Sequence, residues 1–504
     1  MTKIESHVPQ GPITEKWSKH KADIKVVSPA NKRKLDIIVV GTGLGGASAA
    51  ASLGELGYNV KIFCISDSPR RAHSIAAQGG INAAKNYQND NDSVFRLFYD
   101  TIKGGDNMSN PALVREMVYA SPVYFDLLLD NGLQIRDTLA RPGGHYGYRT
   151  YVTENQVGSD ITNLQLKMLK ETSATIELET KLVEIYRTRD EANRVVGIRV
   201  ATADGYKTIE AKKGVIMATG GFSSNVEMRE TQVPYLTADL PTTNIKAAST
   251  GEGIYLAQAI GANTTQMSNI QRYPWADPNT GVLDKYAVWP FTGPSYGVIY
   301  VDYNGNRYVN EGDRRDVCAN AAVNTGFVST YAIFTEPVVA GYVRPEEIEA
   351  GIADGRILKA DTLDELAEKI NGFEVKGLYP TVTGENLKAT IEKHNGYIDN
   401  GEDLDFGKVM ASTMVKIEDG PYYALPQFPS VHHTMGGLVI DTMTRVIDIY
   451  GQPIDGLYAA GEVTGGVHGT NRLGSNADAD ACGFGYISGI VVSTGELPDF
   501  IPAE

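Results

Sequence analysis

The 504-residue sequence predicts an α/β fold, and three observations support it. An apolar run at 35–40, an alanine-rich segment at 47–57 and a second apolar run at 59–65 form a strand–helix–strand pattern. A glycine-rich turn joins the first run to the helix. Helix-like and strand-like segments then alternate between residues 110 and 230, as is typical of α/β proteins.

The turn has the pattern G-x-G-x-x-G, formed by Gly41, Gly43 and Gly46, with Gly45 inside it. Gly41 permits the tight turn, Gly43 lets the backbone approach a pyrophosphate, and Gly46 lets the helix pack closely on the sheet. The N–H groups and positive dipole end of the helix would bind the phosphates. Because the motif follows a strand and opens a helix, it predicts a Rossmann-like dinucleotide-binding unit rather than an ordinary turn.

The composition is that of a globular protein, and the length favours two or more domains. The net charge of −15 argues against nucleic acid or an anionic membrane surface as a partner, because neither attracts an acidic protein. No apolar run approaches the ~20 residues that a membrane helix needs, so we expect no transmembrane segment. The N-terminus also lacks the apolar stretch of a signal peptide.

Three cysteines are scattered at 64, 318 and 482. Their spacing provides neither a c-type haem motif nor a thiolate set for a metal or an iron–sulfur cluster. Free thiols are typical of a reducing compartment, so we expect a cytoplasmic protein.

Strands and a turn are expected in the rest of the first half. Two strands are predicted at 176–186 and 194–203, and 206–211 pairs with them as a meander. An apolar strand at 214–222 ends in a glycine pair. The second strand of the initial unit ends at Cys64, where a carboxylate that binds the adenosine ribose is expected, and this makes NAD a poorer choice of dinucleotide.

The pattern changes between residues 266 and 428, where aromatic residues and prolines are dense. Helices are expected there at 362–370 and 386–400. We therefore expect an inserted α+β capping domain. The predicted organisation is an N-terminal arm at 1–33, a cofactor-binding domain in two parts at 34–265 and 429–504, and the capping domain at 266–428.

Two further segments are rich in glycine and histidine. His73 and Ser74 precede the pair Gly79-Gly80, and a glycine pair suggests close approach of the backbone to a flat group. His432 and His433 precede a second glycine pair at 436–437. A metal site is the alternative for the two histidines, but neighbours on a strand point to opposite faces, and no carboxylate or thiol pattern joins them.

Two polar segments complete the set of candidate sites. The first is a glycine-rich loop at 456–477 that contains Glu462 and Arg472 and leads into a helix near Ser475. The second, at 305–316, is a cluster of charges that contains Arg315, and a solvated loop is the alternative interpretation.

These segments resemble the flavoprotein of the fumarate reductase/succinate dehydrogenase family. The motifs that carry the resemblance are 73–82, 100–106, A-T-G-G at 218–221, T-G-E-G at 250–253, G-N-R-Y-V-N-E at 305–311, H-H-T-M-G-G at 432–437 and 456–477. The resemblance implies a Rossmann-like FAD-binding domain with an inserted cap. It also implies that FAD is bound by Gly41, Gly43, Gly45, Gly46, His73, Ser74, Gly79, Gly80, Glu252, His433, Glu462, Asn476 and Ala477.

The resemblance assigns roles to individual residues. At the place of His73, membrane-bound members carry a covalent bond to FAD and soluble members do not, so both modes stay open. His432 and Arg472 would hold the substrate carboxylate, and a guanidinium suits such a bidentate contact. Arg315 would deliver the proton, and because arginine is a poor acid, with a pKa above ~12, it can act only as a link in a relay. The helix near Ser475 would stabilise reduced flavin through its dipole.

The sequence departs from the family pattern at the predicted substrate pocket. The family's Q-x-H-P is Gln271-Arg272-Tyr273-Pro274 here, and its T-E-x-x-R has Pro290, Phe291 and Pro294 at the polar places. A second carboxylate would lose charged partners at these places. A flat or apolar substituent would instead stack on Tyr273 and contact Phe291. We therefore expect a monocarboxylate with a conjugated C=C bond rather than fumarate.

The proton relay would need replacement, and Glu311, Asp313 and Arg314 are candidates. The predicted function is FAD-dependent reduction of an α,β-unsaturated carboxylate. The chain shows no haem, iron–sulfur or FMN segment, so an external electron donor carrying one of these groups is expected. Two alternatives stay open: an FAD oxidase or dehydrogenase, and a flavoprotein subunit that needs an iron–sulfur partner.

Overall fold

A computed structural model of the chain describes residues 36–500, apart from 189, 191–192, 245–247, 327 and 374–379. The predicted N-terminal arm at 1–33 lies outside the described residues. Within them the strands are β1 Asp36–Val40, β2 Asn59–Phe63, β3 Ile81–Asn82, β4 Ile135–Ala140, β5 Thr150–Thr153, β6 Thr175–Glu177, β7 Lys181–Arg187, β8 Val195–Thr202, β9 Gly205–Glu210, β10 Gly214–Met217, β11 Thr264–Thr265, β12 Ile270–Ala276, β13 Ile299–Val301, β14 Thr330–Thr335, β15 Leu358–Ala360, β16 Tyr422–Thr434, β17 Gly437–Leu438, β18 Arg445–Ile447 and β19 Pro453–Ala459.

The α-helices among the described residues lie mostly between these strands. They are α1 Leu44–Glu55, α2 Val94–Gly104, α3 Pro111–Asp130, α4 Val157–Lys170, α5 Val226–Gln232, α6 Glu252–Gln258, α7 Val288–Thr292, α8 Arg315–Asn324, α9 Glu336–Val339, α10 Pro345–Ala353, α11 Leu363–Asn371, α12 Gly384–Asn400 and α13 Asn476–Thr494. Short 3₁₀ helices lie at His73–Ala76 and Gly293–Tyr296.

A six-stranded sheet in the order β18-β19-β10-β1-β2-β6 forms the centre of the fold. Its pairs are parallel except for β18 and β19 at one edge. The apolar residues of β1 are buried. Helix α1 packs against β1 and β2, and strand β8 packs against β10 and β19 of the same sheet. The predicted strand–helix–strand unit is confirmed, with α1 beginning at Leu44 directly after the glycine turn and packing against α13.

The single strand predicted at 176–186 is wrong, because the segment forms two strands in different sheets. β6 pairs with β2 in the central sheet, and β7 begins the antiparallel meander β7-β8-β9. Between them Glu179 has a φ of 49°, which turns the chain. Glutamate is not a residue type that signals such a turn, so the break was not visible in the apolar pattern.

A second, largely antiparallel sheet contains β12, β16, β14, β13 and β15. It forms its own hydrophobic core with helices from α8 to α12, and the residues of that core lie between 273 and 425. The helices predicted at 362–370 and 386–400 are α11 and α12, and the hydroxyls of Thr362 and Thr383 cap them. A first and larger hydrophobic core contains the apolar residues of the central sheet. The thirteen-residue strand β16 leaves the second core and ends at His432, His433 and Thr434 beside this first core.

None of the helices in the described part of the chain has both the length and the apolar character needed to cross a membrane.

Candidate active site

A cavity opens at the carboxyl end of β1 and extends to the second core. It contains about 1620 Å³ of space not filled by protein atoms, part of it open to solvent. At one end it is lined by the glycine turn, by Cys64 at the end of β2, and by Lys181 and Glu252, which form an ion pair of 2.7 Å. At the other end its wall includes His73, Tyr273, Phe291, Arg315, His432 and Arg472.

The walls of this cavity fit a long, flat dinucleotide. A Cβ at Gly41 would clash with the carbonyl oxygen of Ala218, so the turn can be this tight only with glycine. Gly43 and Gly45 line the cavity at the start of α1, where the first N–H groups of a helix have no acceptor within the helix. Gly79 and Gly80 also line it, and Gly80 has a φ of +119°, which favours glycine.

Two residues predicted to bind the cofactor do not form the cavity wall. A Cβ at Gly46 would clash with the carbonyl oxygen of Gly41, so this glycine permits close packing inside the turn. The side chain of Asn476 accepts a hydrogen bond of 2.7 Å from Asn82 and donates one of 3.0 Å to Thr101. Both residues therefore support the wall from behind, while Ser74, Ala477 and Glu252 lie on it.

Glu462 lies at the centre of a polar cluster on the cavity wall. Its carboxylate accepts a hydrogen bond from the backbone N–H of Thr434 and lies 3.1 Å from Nδ1 of His73 and 3.7 Å from Nδ1 of His433. Burial alone would raise the pKa of Glu462, but the interactions with His433, His73 and Thr434 lower it to about 2. Glu462 is therefore a carboxylate that orients the two histidines.

His432 and His433 have different neighbours, as expected for adjacent residues of a strand. His433 packs edge-on against His468, with ring centres 5.6 Å apart. The hydroxyl of Thr243 lies 2.7 Å from Nδ1 of His432, and burial, followed by the charges of His73 and Arg472, lowers the pKa of His432 well below its usual value. A neutral His432 that accepts this bond at Nδ1 carries its proton on Nε2 and can donate it to a ligand.

Arg472 and Arg315 are two buried guanidiniums on the same cavity wall. Arg472 donates one bond of 3.3 Å to the carbonyl of Leu473, and Arg315 donates one of 3.4 Å to Oε1 of Gln271. Among the described residues neither forms an ion pair, and the Nε atom of each is buried without a hydrogen-bond partner. Burial, and then the charge of Arg315, lowers the pKa of Arg472 to about 9. Two such cations form a site for an anion.

Aromatic rings surround Arg315. The guanidinium carbon of Arg315 lies 4.9 Å from the ring centre of Tyr273 and 5.3 Å from that of Phe291. Trp275 contacts both rings, with centres 5.2 Å from Tyr273 and 5.7 Å from Phe291. The hydroxyl of Tyr273 donates a hydrogen bond to the carbonyl of Ala287, so it is not available to a ligand that stacks on the ring.

The residues predicted to replace the proton relay are engaged elsewhere. Glu311 is bound by Arg307 at 2.7 Å and by Lys408 at 3.2 Å inside the second core. The carboxylate of Asp313 accepts a hydrogen bond of 2.6 Å from the backbone N–H of Arg314. Arg314 in turn forms ion pairs of 2.6 Å with Asp106 and 2.8 Å with Asp316. The structure therefore does not bring these three side chains to Arg315, although they are close to it in sequence.

Sequence analysis gave no role to three residues of the site. The hydroxyl of Thr243 contacts Nδ1 of His432, and no motif marks this residue. Gln271 accepts from Arg315 and donates to Asn471 and to the carbonyl of Arg472, so a single side chain links the two arginine segments. Asp478 lines the cavity at the third position of α13, and an acidic residue in the first turn of the helix expected near Ser475 was the available signal.

Comparison with known proteins gives consistent matches over the chain. The model of the FAD binding domain family matches residues 36–477. The chain is 34% identical over 468 residues to the NADH:fumarate oxidoreductase of Klebsiella pneumoniae, which covers 91% of this chain and 48% of that protein. It is 32% identical over 497 residues to the urocanate reductase of Eggerthella lenta, which covers 95% of this chain and 78% of the relative. The chain thus spans about half the length of the first relative.

Solved structures agree with the sequence matches. The open conformation of a flavocytochrome c3 fumarate reductase superposes with a TM-score of 0.74 at 29% identity, over 97% of this chain and 82% of that chain. The chain belongs to the FAD binding domain family, among relatives that include fumarate and urocanate reductases.

Proposed function

We propose that the protein is an FAD-dependent reductase of the C=C bond of an α,β-unsaturated monocarboxylate. The observation that carries the proposal is the pair Arg472 and Arg315, two buried cations that form no ion pair with the described residues and lie beside aromatic rings. The carboxylate of the substrate would pair with these cations, and the substituent of the substrate would pack against the aromatic rings.

The residues of the cavity fit FAD. Gly41, Gly43 and Gly45 would hold the pyrophosphate at the start of α1, and the segment around Gly79 and Gly80 would lie against the flat ring system. FAD, when bound, supplies the hydride that is added to the β-carbon of the substrate. The capping segment at 266–428, which carries the second core, closes the substrate end of the cavity.

His432 and Arg472 would bind the substrate carboxylate together. The guanidinium offers two parallel N–H donors, and Nε2 of a neutral His432 offers a third. Because these groups withdraw charge from the carboxylate, they also make the conjugated C=C bond a better hydride acceptor. The side-chain amide of Gln271 donates a hydrogen bond to the backbone carbonyl of Arg472. The position of Arg472 is therefore fixed before the substrate binds.

Arg315 would donate the proton to the α-carbon. Burial lowers the pKa of Arg315, which makes it a better acid than an exposed arginine, and Gln271 orients its Nη1. The proton lost by Arg315 would be restored by solvent that reaches the cavity, since Glu311, Asp313 and Arg314 are engaged elsewhere.

The electron donor would be a separate redox protein or domain. The chain spans about half the length of the NADH:fumarate oxidoreductase that it matches, so the electron source named for that relative is not carried over to this chain. The three cysteines are unpaired and buried, which supports a reducing compartment as the place of action.

The proposal is tested by steady-state assays with reduced viologen as the electron source. Urocanate, cinnamate, methacrylate and fumarate are compared as acceptors. We expect turnover of the monocarboxylates to exceed that of fumarate. Fumarate as the best acceptor would refute the pocket argument, and rapid reoxidation by O₂ with turnover of a saturated substrate would favour an oxidase.

A further inference from the structure

Asp478 is a buried carboxyl group that the reaction described above does not use. It is the third residue of α13, after Asn476 and Ala477, and only 8% of it is exposed. It lines the cavity, and none of the described residues donates a hydrogen bond to it. Asp480, two residues further along the same helix, is instead 3.1 Å from Nε2 of His468.

The charged and titratable groups around Asp478 come from three elements. Arg472 in the preceding loop and His73 in the 3₁₀ helix favour the carboxylate, and Cys482 lies one turn along the same helix. Burial opposes these two interactions and outweighs them, so that the pKa of Asp478 is raised to about 7. Arg472 and His73 line the substrate end of the cavity, and Asp478, which also lines the cavity, interacts with both of them. This places Asp478 nearer to the substrate end than to the end that carries Lys181 and Glu252.

We propose that Asp478 is a positioning residue for the bound flavin, which it contacts as a carboxylic acid and whose reduction it couples to the uptake of one proton. The physical reason is the new negative charge of reduced flavin, which disfavours a second negative charge beside it. The acid form then donates a hydrogen bond to the cofactor where a carboxylate would repel it.

The step is balanced as follows. Two electrons from an external reductant and one proton from solvent convert the oxidised flavin into its anionic reduced form. The carboxylate of Asp478 takes a further proton from solvent in the same step, so two protons accompany two electrons wherever this side chain is ionised beforehand. Where Asp478 is already protonated before reduction, only one proton accompanies the two electrons. On reoxidation the carboxyl group returns its proton to solvent.

The test is an anaerobic titration of the holoenzyme with dithionite and indicator dyes between about pH 6 and pH 9, without substrate. For wild type, the reduction potential should fall by about 30 mV per pH unit below neutrality and by about 60 mV per pH unit above it, since each proton per two electrons adds 30 mV. Asp478→Asn should give the shallower slope throughout. The visible spectrum of the oxidised wild type should also titrate near neutral pH, and that of Asp478→Asn should not.

Two variants complete the design. Asp478→Glu keeps a carboxyl group and should keep the steeper slope, whereas Asp480→Asn removes a neighbouring carboxyl that is held by His468 and should leave the wild-type slope unchanged. A uniform slope in wild type would overturn the proposal even if Asp478→Asn failed to bind flavin, and so would equal slopes in wild type and Asp478→Asn. The experiment needs flavin and no enoate, so its failure is separate from failure of the proposed activity.

Discussion

The guanidinium carbon of Arg315 lies 4.9 Å from the centre of the Tyr273 ring, and no carboxylate of the described residues pairs with it. The cation–π interaction with the ring stabilises the charged guanidinium in this buried site, but it does so less than a carboxylate would. Burial accordingly lowers the pKa of Arg315 and raises that of Tyr273 to about 12. This relationship gives the site both an acid and a flat apolar surface.

Replacement of Arg315 tests its role as the proton donor. We expect Arg315→Ala to lower turnover by roughly 10²–10⁴-fold, the usual contribution of a general acid, while flavin content stays unchanged. Arg314→Ala is the matched control, because Arg314 pairs with Asp106 and Asp316 away from the cavity. Turnover that survives in Arg315→Ala would remove this residue from the mechanism.

Arg472 makes opposite contributions to binding and to stability. Arg472→Met should weaken carboxylate binding by about 2–5 kcal/mol, as for the loss of one partner of a buried charge pair. The same change removes a buried cation that has no ion pair in the described residues, so the melting temperature of the apoprotein should not fall. Calorimetry without ligand and titration with an unreactive carboxylate measure the two effects. A large loss of stability would indicate an anionic partner for Arg472 within the protein.

Phe291 should discriminate between substrates by the size of their substituent. Phe291→Ala is expected to raise KM for cinnamate by about 2- to 12-fold, since an aromatic contact contributes about 0.5–1.5 kcal/mol beyond buried area. For acrylate, which has no ring to place there, KM should change little. Equal effects on both substrates would show that Phe291 shapes the site in general rather than contacting the substituent.

The close packing of the glycine turn predicts a stability difference between two glycines. Gly46→Ala places a Cβ against the carbonyl oxygen of Gly41 and should lower the free energy of unfolding by about 1–3 kcal/mol. Gly396 lies inside α12 with no atom within 4 Å of an added Cβ, so Gly396→Ala should raise it by about 0.5–1 kcal/mol. Urea unfolding of both variants provides the comparison, and equal values would contradict the packing argument.

Glu462 predicts how stability depends on pH. Its pKa is lowered from 4.5 to about 2 in the folded protein, so its stabilising contribution is present above about 4.5 and is lost as the pH falls towards 2. The melting temperature of wild type should therefore decline through this range. Glu462→Gln should decline less steeply there, and an identical pH dependence would show that other carboxylates dominate.

Local pattern was enough to predict the central unit of the fold and the glycine turn at the start of α1. The glycine turn, α1 and the start of α13 follow directly from sequence, because backbone sterics and helix ends depend on near neighbours. Glu311 and Arg314 were proposed for the proton relay because they are close to Arg315 in sequence. Their ion pairs instead reach residues that are distant in sequence, Lys408 for Glu311 and Asp106 for Arg314.

Gln271 and Asp478 show what a sequence pattern does not contain. Gln271 matters because β12 pairs with β16 and brings its side chain between the two arginine segments, which is a long-range relationship. Asp478 matters because it lines the cavity. Asp480, two residues further along the same helix, is also an aspartate but pairs with His468, so residue type alone does not distinguish them.

The most direct test of the central claim is a single-turnover measurement of flavin reoxidation. Reduced holoenzyme is mixed anaerobically with cinnamate, urocanate or fumarate in a stopped-flow instrument, and the product is identified by mass. The account predicts that a monocarboxylate reoxidises the flavin fastest, in step with formation of one equivalent of the saturated acid. Reoxidation that is fastest with fumarate, or that occurs with none of these acids, would contradict it.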